Sequence, residues 1–447
     1  MRKTVFFLLL SWSITTLNAQ IKEVPSSVSL EEAVEWGMIH NRTMQTANLE
    51  LQKAQKQKWE TLSIGFPQIT AYLNYQNNIE QPVSLIPAEF FGGQAGEFSE
   101  LTFGTKQTAM GSVEMRQLLF DGTYVVGVQG IKHFLEIADN VFEKTQLEVE
   151  RIIIESYLGA LAAKENVEIL ERNITAISSS IEEAHQLFKS GFGEEESVEQ
   201  LRITHVSLGN QLDYAKNMVK LSNSVMKLLL GISLEKPLEL TDNLEGLALK
   251  STTLETVDSG YENNIDLRIA ENKIITEELM YRLEKAKSLP SLTAFVNGAY
   301  MGNNESFSFT EKDQKWFGSS AIGVRVKIPI FSSFGRTASS QKAKIILEQA
   351  KTSFEETKGK IHVEYEQAIN NYQLAIKKHF NTKDQLDLAE RIEKKNKTKF
   401  FEGLATSFEL REAQIQLYSF QQNYIETMRN LVVKKTALDI VINNNSQ

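Results

Sequence analysis

The sequence predicts a mainly α-helical protein that contains two copies of one structural plan, with four amphipathic β-strands. Three observations carry this prediction. The chain aligns with itself over most of its length, and its seven prolines leave residues 88–236 and 330–447 without any. Two stretches of about 65 residues each keep an uninterrupted helical hydrophobic period, which long helices free of proline require.

The self-alignment indicates a tandem duplication with small insertions. Over the first part of each copy the offset is 223 residues, and further along it falls to 211 or 212. We therefore predict a first structural repeat over residues 20–241 and a second over 242–447. The matching pairs include Asn41 with Asn264, Ala47 with Ala270, Pro67 with Pro290, Asn74 with Asn297, Phe120 with Phe331, and Gly191 with Gly403.

The N-terminus predicts a secretory signal peptide over residues 1–19. Arg2 and Lys3 precede an apolar stretch that begins at Val5, and Ala19 is a small residue at the expected cleavage site. The apolar stretch is shorter than the roughly 20 residues that a membrane-spanning helix needs.

In the first repeat, Ser29 with Glu32 three residues later predicts a capping box that begins a helix over 29–65. Apolar and polar residues then alternate, which predicts strands over 68–80 and 107–120. Long helices are predicted over 123–190 and 194–231.

The second repeat predicts the same elements: a helix over 261–289, strands over 291–301 and 318–331, and helices over 336–401 and 404–441. The longest helices would each rise about 100 Å, far more than a globular domain needs. Their apolar residues are spaced alternately three and four apart, which is typical of coiled coils. One such seam runs Leu170, Ile174, Ile177, Ile181, Ala184, Phe188, and another runs Leu410, Ala413, Leu417, Phe420, Tyr424.

Composition excludes several classes of function. The net charge of −9 argues against a nucleic-acid partner. The chain has no cysteine, so disulfides and thiolate metal sites are excluded. The six histidines show no His-x-x-x-His spacing, and there is no Gly-x-Ser-x-Gly sequence or phosphate-binding loop. We therefore expect no enzyme, with no catalytic residues, no metal site and no cofactor.

The strands indicate contact with a membrane through a closed barrel. Each has one apolar and one polar face, and a four-stranded sheet alone would expose unpaired edge groups to lipid. Transmembrane barrels begin at about eight strands, so two, three or four copies of the chain would have to pool their strands.

Several segments in this order resemble the TolC family of outer-membrane efflux proteins. They are the residues from Ser29 to Ala33, the Gly335-Arg336 turn between strand and helix, and the segments Phe188 to Gly191 and Phe400 to Leu404 at the expected helix tips. The similarity covers residues 29–441.

The resemblance implies a homotrimer whose twelve pooled strands form one barrel in outer-membrane lipid, continuous with an α-helical tunnel in the periplasm. It further implies a passive exit duct of a tripartite efflux or secretion system, docked to a periplasmic adaptor protein and an inner-membrane transporter. The alternative is a soluble periplasmic coiled-coil adaptor or spacer. The transported substrate cannot be read from the sequence.

In the family, inward-facing acidic residues narrow the periplasmic mouth just beyond the second helix tip. The resemblance places them at Glu409 and Glu412, and rings of carboxylates would favour cations. Ordinary solvated glutamates are the alternative. Family members also have a latch, a set of hydrogen-bonded side chains near the two helix tips. The corresponding positions in this chain are Phe400, Ala405 and Ser197, and none of them has the polar residue that forms the latch in the family.

The helix tips are the candidate docking surface for the adaptor. Gly191 and Gly403 would let the chain turn between antiparallel helices, and Phe192 and Leu404 would be apolar contacts for the partner. Alternatively, these two side chains only close the turn.

Overall fold

The computed structural model describes residues 25–253 and 260–442. The predicted signal peptide, residues 1–19, lies outside them. Helices dominate, and the four predicted strands form one antiparallel sheet, which confirms the predicted fold class for the single chain. The helices are α1 (Leu30–His40), α2 (Arg42–Ser63), α3 (Gly122–Lys189), α4 (Glu195–Leu229), α5 (Leu244–Lys250), α6 (Ile265–Ala286), α7 (Gly335–Phe401) and α8 (Ser407–Val441).

The strands fall into one main sheet and two small pairings. The main sheet contains β2 (Gln68–Asn77), β5 (Gln107–Asp121), β7 (Ser291–Asn304) and β8 (Trp316–Lys327). The small pairings join β1 (Ser27–Val28) to β6 (Glu239–Leu240) and β3 (Val83–Pro87) to β4 (Phe98–Thr102).

Several features differ from the predicted elements: α5 and the β1–β6 pairing were not predicted, and residues 328–331, predicted as the end of a strand, lie beyond β8. The helix expected over 29–65 is divided at Asn41, whose ψ of 134° is extended rather than helical. The segment 81–106, which lies between the strands predicted over 68–80 and 107–120, contains the β3–β4 hairpin and a short 3₁₀ turn, Ala88–Phe91. Neither β3 nor β4 pairs with the main sheet.

The chain divides into two compact units. The tip unit comprises residues 25–41, 153–250 and 382–429, and it contains the turns that join α3 to α4 and α7 to α8. The sheet unit comprises the remaining described residues, 42–152, 251–253, 260–381 and 430–442.

In the tip unit, the capping box predicted at Ser29 is present. The Ser29 hydroxyl accepts a hydrogen bond from the Glu32 N–H, while the Glu32 carboxylate accepts one from the Ser29 N–H at 2.8 Å. Asp242 adds a second anchor, because its carboxylate accepts hydrogen bonds from the Leu30 N–H at 2.7 Å and from the buried Tyr157 hydroxyl at 2.8 Å. Burial and this bond to Asp242 raise the pKa of Tyr157, so its hydroxyl stays a donor.

In the sheet unit, the strand order is β2-β5-β7-β8, so β2 and β8 are the edges. One face of the sheet carries most of its aliphatic side chains. Leu73 on β2 and Ile322 on β8 lie on it and are 90% and 82% exposed. In the described part of the chain, no strand pairs with the outer edge of β2 or β8.

One hydrogen bond recurs at Asn41 and Asn264, which the predicted duplication aligns with each other. In the tip unit, the Asn41 side-chain amide donates to the Leu229 carbonyl near the end of α4, at 2.8 Å. In the sheet unit, the Asn264 amide donates to the Val441 carbonyl at the end of α8, also at 2.8 Å. Both asparagines are buried, so each satisfies a carbonyl that the helix end leaves without an intrahelical partner.

We expect Asn264→Ala to destabilise the protein by about 1–3 kcal/mol, because it leaves the Val441 carbonyl without its donor. It also removes the N-cap of α6, where the Asn264 side chain accepts from the Asp266 N–H. The measurement is the unfolding temperature in detergent. The control is Asn381→Ala at an exposed position of α7. Equal unfolding temperatures for the two variants would contradict this role for Asn264.

Candidate functional site at the helix tips

The end of α3, the start of α4 and the start of α8 pack around one apolar seam in the tip unit. The predicted coiled-coil positions Leu170, Ile177 and Ala184 of α3 are buried against α4 and Leu410 of α8. This confirms the coiled-coil interpretation of these segments. The α4 residues in the same cluster are Val198, Leu201, Leu208 and Ala215.

Both tip turns are closed by the same backbone motif. Gly191 has φ +77°, and the N–H of the following Phe192 donates to the Leu187 carbonyl at 2.9 Å. At the second tip Gly403 has φ +72°, and the N–H of Leu404 donates to the Lys399 carbonyl at 2.7 Å. These are Schellman helix ends, in which glycine adopts the left-handed conformation at little cost.

The side chains of Phe192 and Leu404 point into solvent. They are 86% and 73% exposed. A residue at this position of a Schellman motif often packs back against its own helix, and such packing would bury it. In the single chain the two tips therefore present bare apolar side chains, which is unfavourable in water unless something covers them.

Glu409 is held in a capping box at the start of α8. Its carboxylate accepts hydrogen bonds from the Thr406 N–H at 2.7 Å and from the Thr406 hydroxyl at 3.1 Å. The Glu409 N–H in turn donates to the Thr406 hydroxyl at 3.2 Å. Both hydrogen bonds from Thr406 lower the pKa of Glu409, and the one from the N–H has the larger effect.

Glu412, one turn later on α8, is exposed. Its nearest cationic neighbour is Arg411, with Nη2 4.0 Å from the Glu412 carboxylate. Glu409 and Glu412 line the same open groove between α7 and α8, together with Ile392 and Phe408. The structure thus brings the two predicted acidic residues together, but only Glu412 has a carboxylate that is not engaged in capping the helix.

The three positions of the family latch are not joined to one another. Phe400 is half-buried and packs against the apolar seam, and its ring lies edge-on to Phe401 with 5.1 Å between centroids. Ser197 lies in the first turn of α4, and its N–H donates to the Glu194 carbonyl. Among the described residues, no hydrogen bond links Ser197, Phe400 and Ala405.

Two features of the site were missed in reading the sequence. The first is the capping role of Thr406, although Thr406 and Glu409 have the same spacing as Ser29 and Glu32. The second is Glu393 on α7, whose pKa is raised by burial although Lys397 and Gln414 oppose the shift. Nothing in the local sequence distinguishes this half-buried carboxyl from its exposed neighbour Glu390.

In the described part of the chain, no cluster of histidine and acidic side chains could hold a metal ion. None of the described helices is both apolar and long enough to span a bilayer.

Residues 257–444 match the model of the outer membrane efflux protein family. This confirms the resemblance found in the sequence and agrees with the predicted outer-membrane location. The family and its fold are those of channels rather than of enzymes. No curated protein sequence is significantly similar to this chain.

Several solved structures share the fold. The outer membrane protein VceC of Vibrio cholerae is 15% identical, with 92% of this chain and 95% of that chain covered and a TM-score of 0.70. The CmeC outer membrane channel of Campylobacter jejuni is 15% identical, with 92% and 85% covered and a TM-score of 0.71. The open state of the MtrE outer membrane channel of Neisseria gonorrhoeae is 12% identical, with 92% and 88% covered and a TM-score of 0.66.

We expect the capping box at Thr406 to open in acid. A carboxyl with a lowered pKa in the folded state stabilises the fold above its ordinary pKa of 4.5, and this contribution is lost as the pH falls through the lowered value. Thr406→Val removes the hydroxyl donor, so the pKa of Glu409 should move back toward 4.5 and the turn should open at a higher pH.

The measurement is hydrogen-exchange protection of the peptide that spans residues 405–410, followed from pH 7 downward. Thr398→Val serves as the control, because the Thr398 hydroxyl donates only to the Lys394 carbonyl of its own helix. If Thr406→Val and the parent protein opened at the same pH, the capping interaction would not be responsible.

Proposed function

We propose, from the match of residues 257–444 to the outer membrane efflux protein family, that the whole chain is the passive exit duct of a tripartite efflux or secretion system. Three copies pool twelve strands into one barrel in outer-membrane lipid. Their helices form a periplasmic tunnel, which meets a periplasmic adaptor protein and an inner-membrane transporter. The transporter supplies the energy.

The observation that supports this proposal best is the uncovered sheet. Its apolar face is exposed at Leu73 and Ile322, and both edge strands lack partners in the described part of the chain. In water this surface would aggregate, and in lipid the unpaired edge groups would each cost several kcal/mol. Pairing β8 of one copy with β2 of the next satisfies the edges and gives the apolar face to lipid.

The same observation argues against a soluble periplasmic adaptor or spacer. Such a protein would bury the apolar face of the sheet against other elements of its own chain. Leu73 and Ile322 are instead almost fully exposed, and β3 and β4 form a separate hairpin.

We further propose that Glu412 sets the ion preference of the periplasmic mouth. Its carboxylate is exposed and is not engaged in a cap, whereas that of Glu409 is bonded to Thr406. Three copies of Glu412 around a symmetry axis would form a ring of negative charge that favours cations.

The function is tested by extracting the protein from the cell envelope and reconstituting it in planar bilayers. We expect it in the outer-membrane fraction, as three-fold particles that open ion channels. Glu412→Gln should lower the ratio of cation to anion permeability by roughly twofold or more, because a charge about 8 Å from an ion in water contributes about 0.5 kcal/mol. Glu409→Gln should have a smaller effect.

Glu235→Gln is the matched control, since Glu235 is exposed in the turn that follows α4. A soluble product without channel activity would overturn the duct. Channels whose permeability ratio is unchanged by Glu412→Gln would overturn only the role of Glu412.

The helix tips are the proposed contact with the adaptor, because Phe192 and Leu404 are exposed apolar side chains on turns closed by backbone hydrogen bonds. We expect benzoylphenylalanine in place of Phe192 or Leu404 to crosslink, in cells, to a periplasmic adaptor protein identified by mass spectrometry. The same photoreactive residue in place of Ile203, which is exposed on α4, is the control. If the adaptor crosslinked to position 203 and not to positions 192 or 404, the helix tips would not be its contact surface.

A further inference from the structure

We propose that the polar face of the main sheet binds oxyanions, namely carboxylate, sulfonate or phosphate groups of solutes, through Arg325 and Lys327. This inference rests on the proposed function, because it takes the polar face to line a channel. It concerns the sheet unit alone and is independent of the acidic residues at the helix tips.

Arg325 and Lys327 are neighbours on one face of β8. Successive strand side chains point to opposite faces, so these two lie opposite the apolar Val324 and Val326. Residues two apart along a strand are separated by about 7 Å, so one anionic group can contact both cations. In the register with β7, Arg325 pairs with Thr293 and Lys327 with Ser291.

This end of the sheet is where all four strands join helices. Residue 68 of β2 follows α2, and residue 121 of β5 precedes α3. Residue 291 of β7 follows α6, and residue 327 of β8 precedes α7. The two cations therefore lie at the end where every strand is anchored by a helix, and the backbone that carries them is well positioned.

The carboxylates nearby in the register are Glu114 and Asp121, which attract Arg325 and Lys327 respectively, but each also has a closer partner. Glu114 on β5 is paired with Arg116, with 2.7 Å between Oε2 and Nη2. Asp121, at the end of β5, accepts hydrogen bonds from the Thr123 N–H at 2.7 Å and from the Tyr124 N–H at 3.1 Å, at the start of α3.

Arg325 and Lys327, by contrast, are exposed and without an ion pair. Within the residues that the structure describes, no carboxylate oxygen lies within 4.0 Å of the charged nitrogens of either side chain. An anionic solute could therefore bind them without breaking a direct ion pair, in competition with the longer-range attraction of Glu114 and Asp121.

The Arg325 side chain is held in place by an aromatic platform. Its guanidinium lies over the ring of Phe295, 5.5 Å from the centroid. Phe295 pairs in register with Gly323, and a Cβ at position 323 would lie 2.7 Å from the Phe295 ring. The absence of a side chain at Gly323 thus gives the ring its place beside Arg325.

An arginine fixed in this way is suited to oxyanions. The guanidinium presents paired N–H donors that match the oxygens of a carboxylate, sulfonate or phosphate group. Because the ring of Phe295 already positions it, less side-chain entropy is lost on binding. Lys327 adds a second charge without a geometric requirement. Repeated in a trimer, the two residues would give a band of six cations on the polar face.

The test is block of the reconstituted channel by pyrene tetrasulfonate, an aromatic anion with four sulfonate groups. We expect the double variant Arg325→Gln, Lys327→Gln to require at least about fivefold more of this anion for half-block, and to show a higher ratio of cation to anion permeability. Arg325→Lys keeps the charge and loses the paired donors. Its half-blocking concentration should therefore lie between those of the parent protein and the double variant. Lys312→Gln, in the loop between β7 and β8, is the control and should leave block unchanged.

The outcomes separate the two proposals. If the protein forms no channels, the proposed function as an exit duct is wrong, and so is the oxyanion site that depends on it. If channels form and the anion blocks the double variant as well as it blocks the parent protein, the oxyanion site is overturned while the proposed function as an exit duct is not. An equal loss of block in Lys312→Gln would also overturn it, because the effect would then come from net charge and not from these two side chains.

Discussion

The backbone along both edges of the main sheet, which is unpaired among the described residues, is the constraint on which the rest of the structure depends. A four-stranded antiparallel sheet with one bare apolar face is a poor structure on its own, because its edge N–H and C=O groups have no partners. The helices that enter and leave every strand at one end hold these strands in a defined register. The order β2-β5-β7-β8 leaves one edge from each repeat, which suits head-to-tail pairing between identical copies.

The duplication places equivalent tasks on equivalent residues. Asn41 and Asn264 each satisfy a carbonyl at the end of the last long helix of their own repeat. The two glycine turns at the helix tips use the same pair of backbone hydrogen bonds.

Much of the fold was predictable because the signals are local and periodic. Long heptad spacing, strand alternation and the pattern Ser29-x-x-Glu32 each report on one element. The division of the first helix at Asn41 could not be predicted in this way, because it depends on a hydrogen bond to Leu229, 188 residues away. The β3–β4 hairpin was missed because its residues alternate weakly and it does not pair with the main sheet.

At the helix tips, the family resemblance predicted an acidic mouth at Glu409 and Glu412 but did not distinguish the two residues. The difference lies in Thr406, whose hydroxyl and N–H both engage one carboxylate. The platform under Arg325 was also hidden. It needs the register that sets Phe295 opposite Gly323 across two strands, and register is a property of the folded sheet.

The helix-tip turns have a consequence for how such a chain diversifies. Each turn is closed by backbone groups and one glycine, so the neighbouring side chains have no part in folding it. Substitution at Phe192 or Leu404 therefore leaves the turn itself intact, and in the proposed docking role it would change recognition alone. Since the chain has two such turns on separate segments, each is free to drift on its own, and one protomer can evolve two unlike specificities on identical backbones.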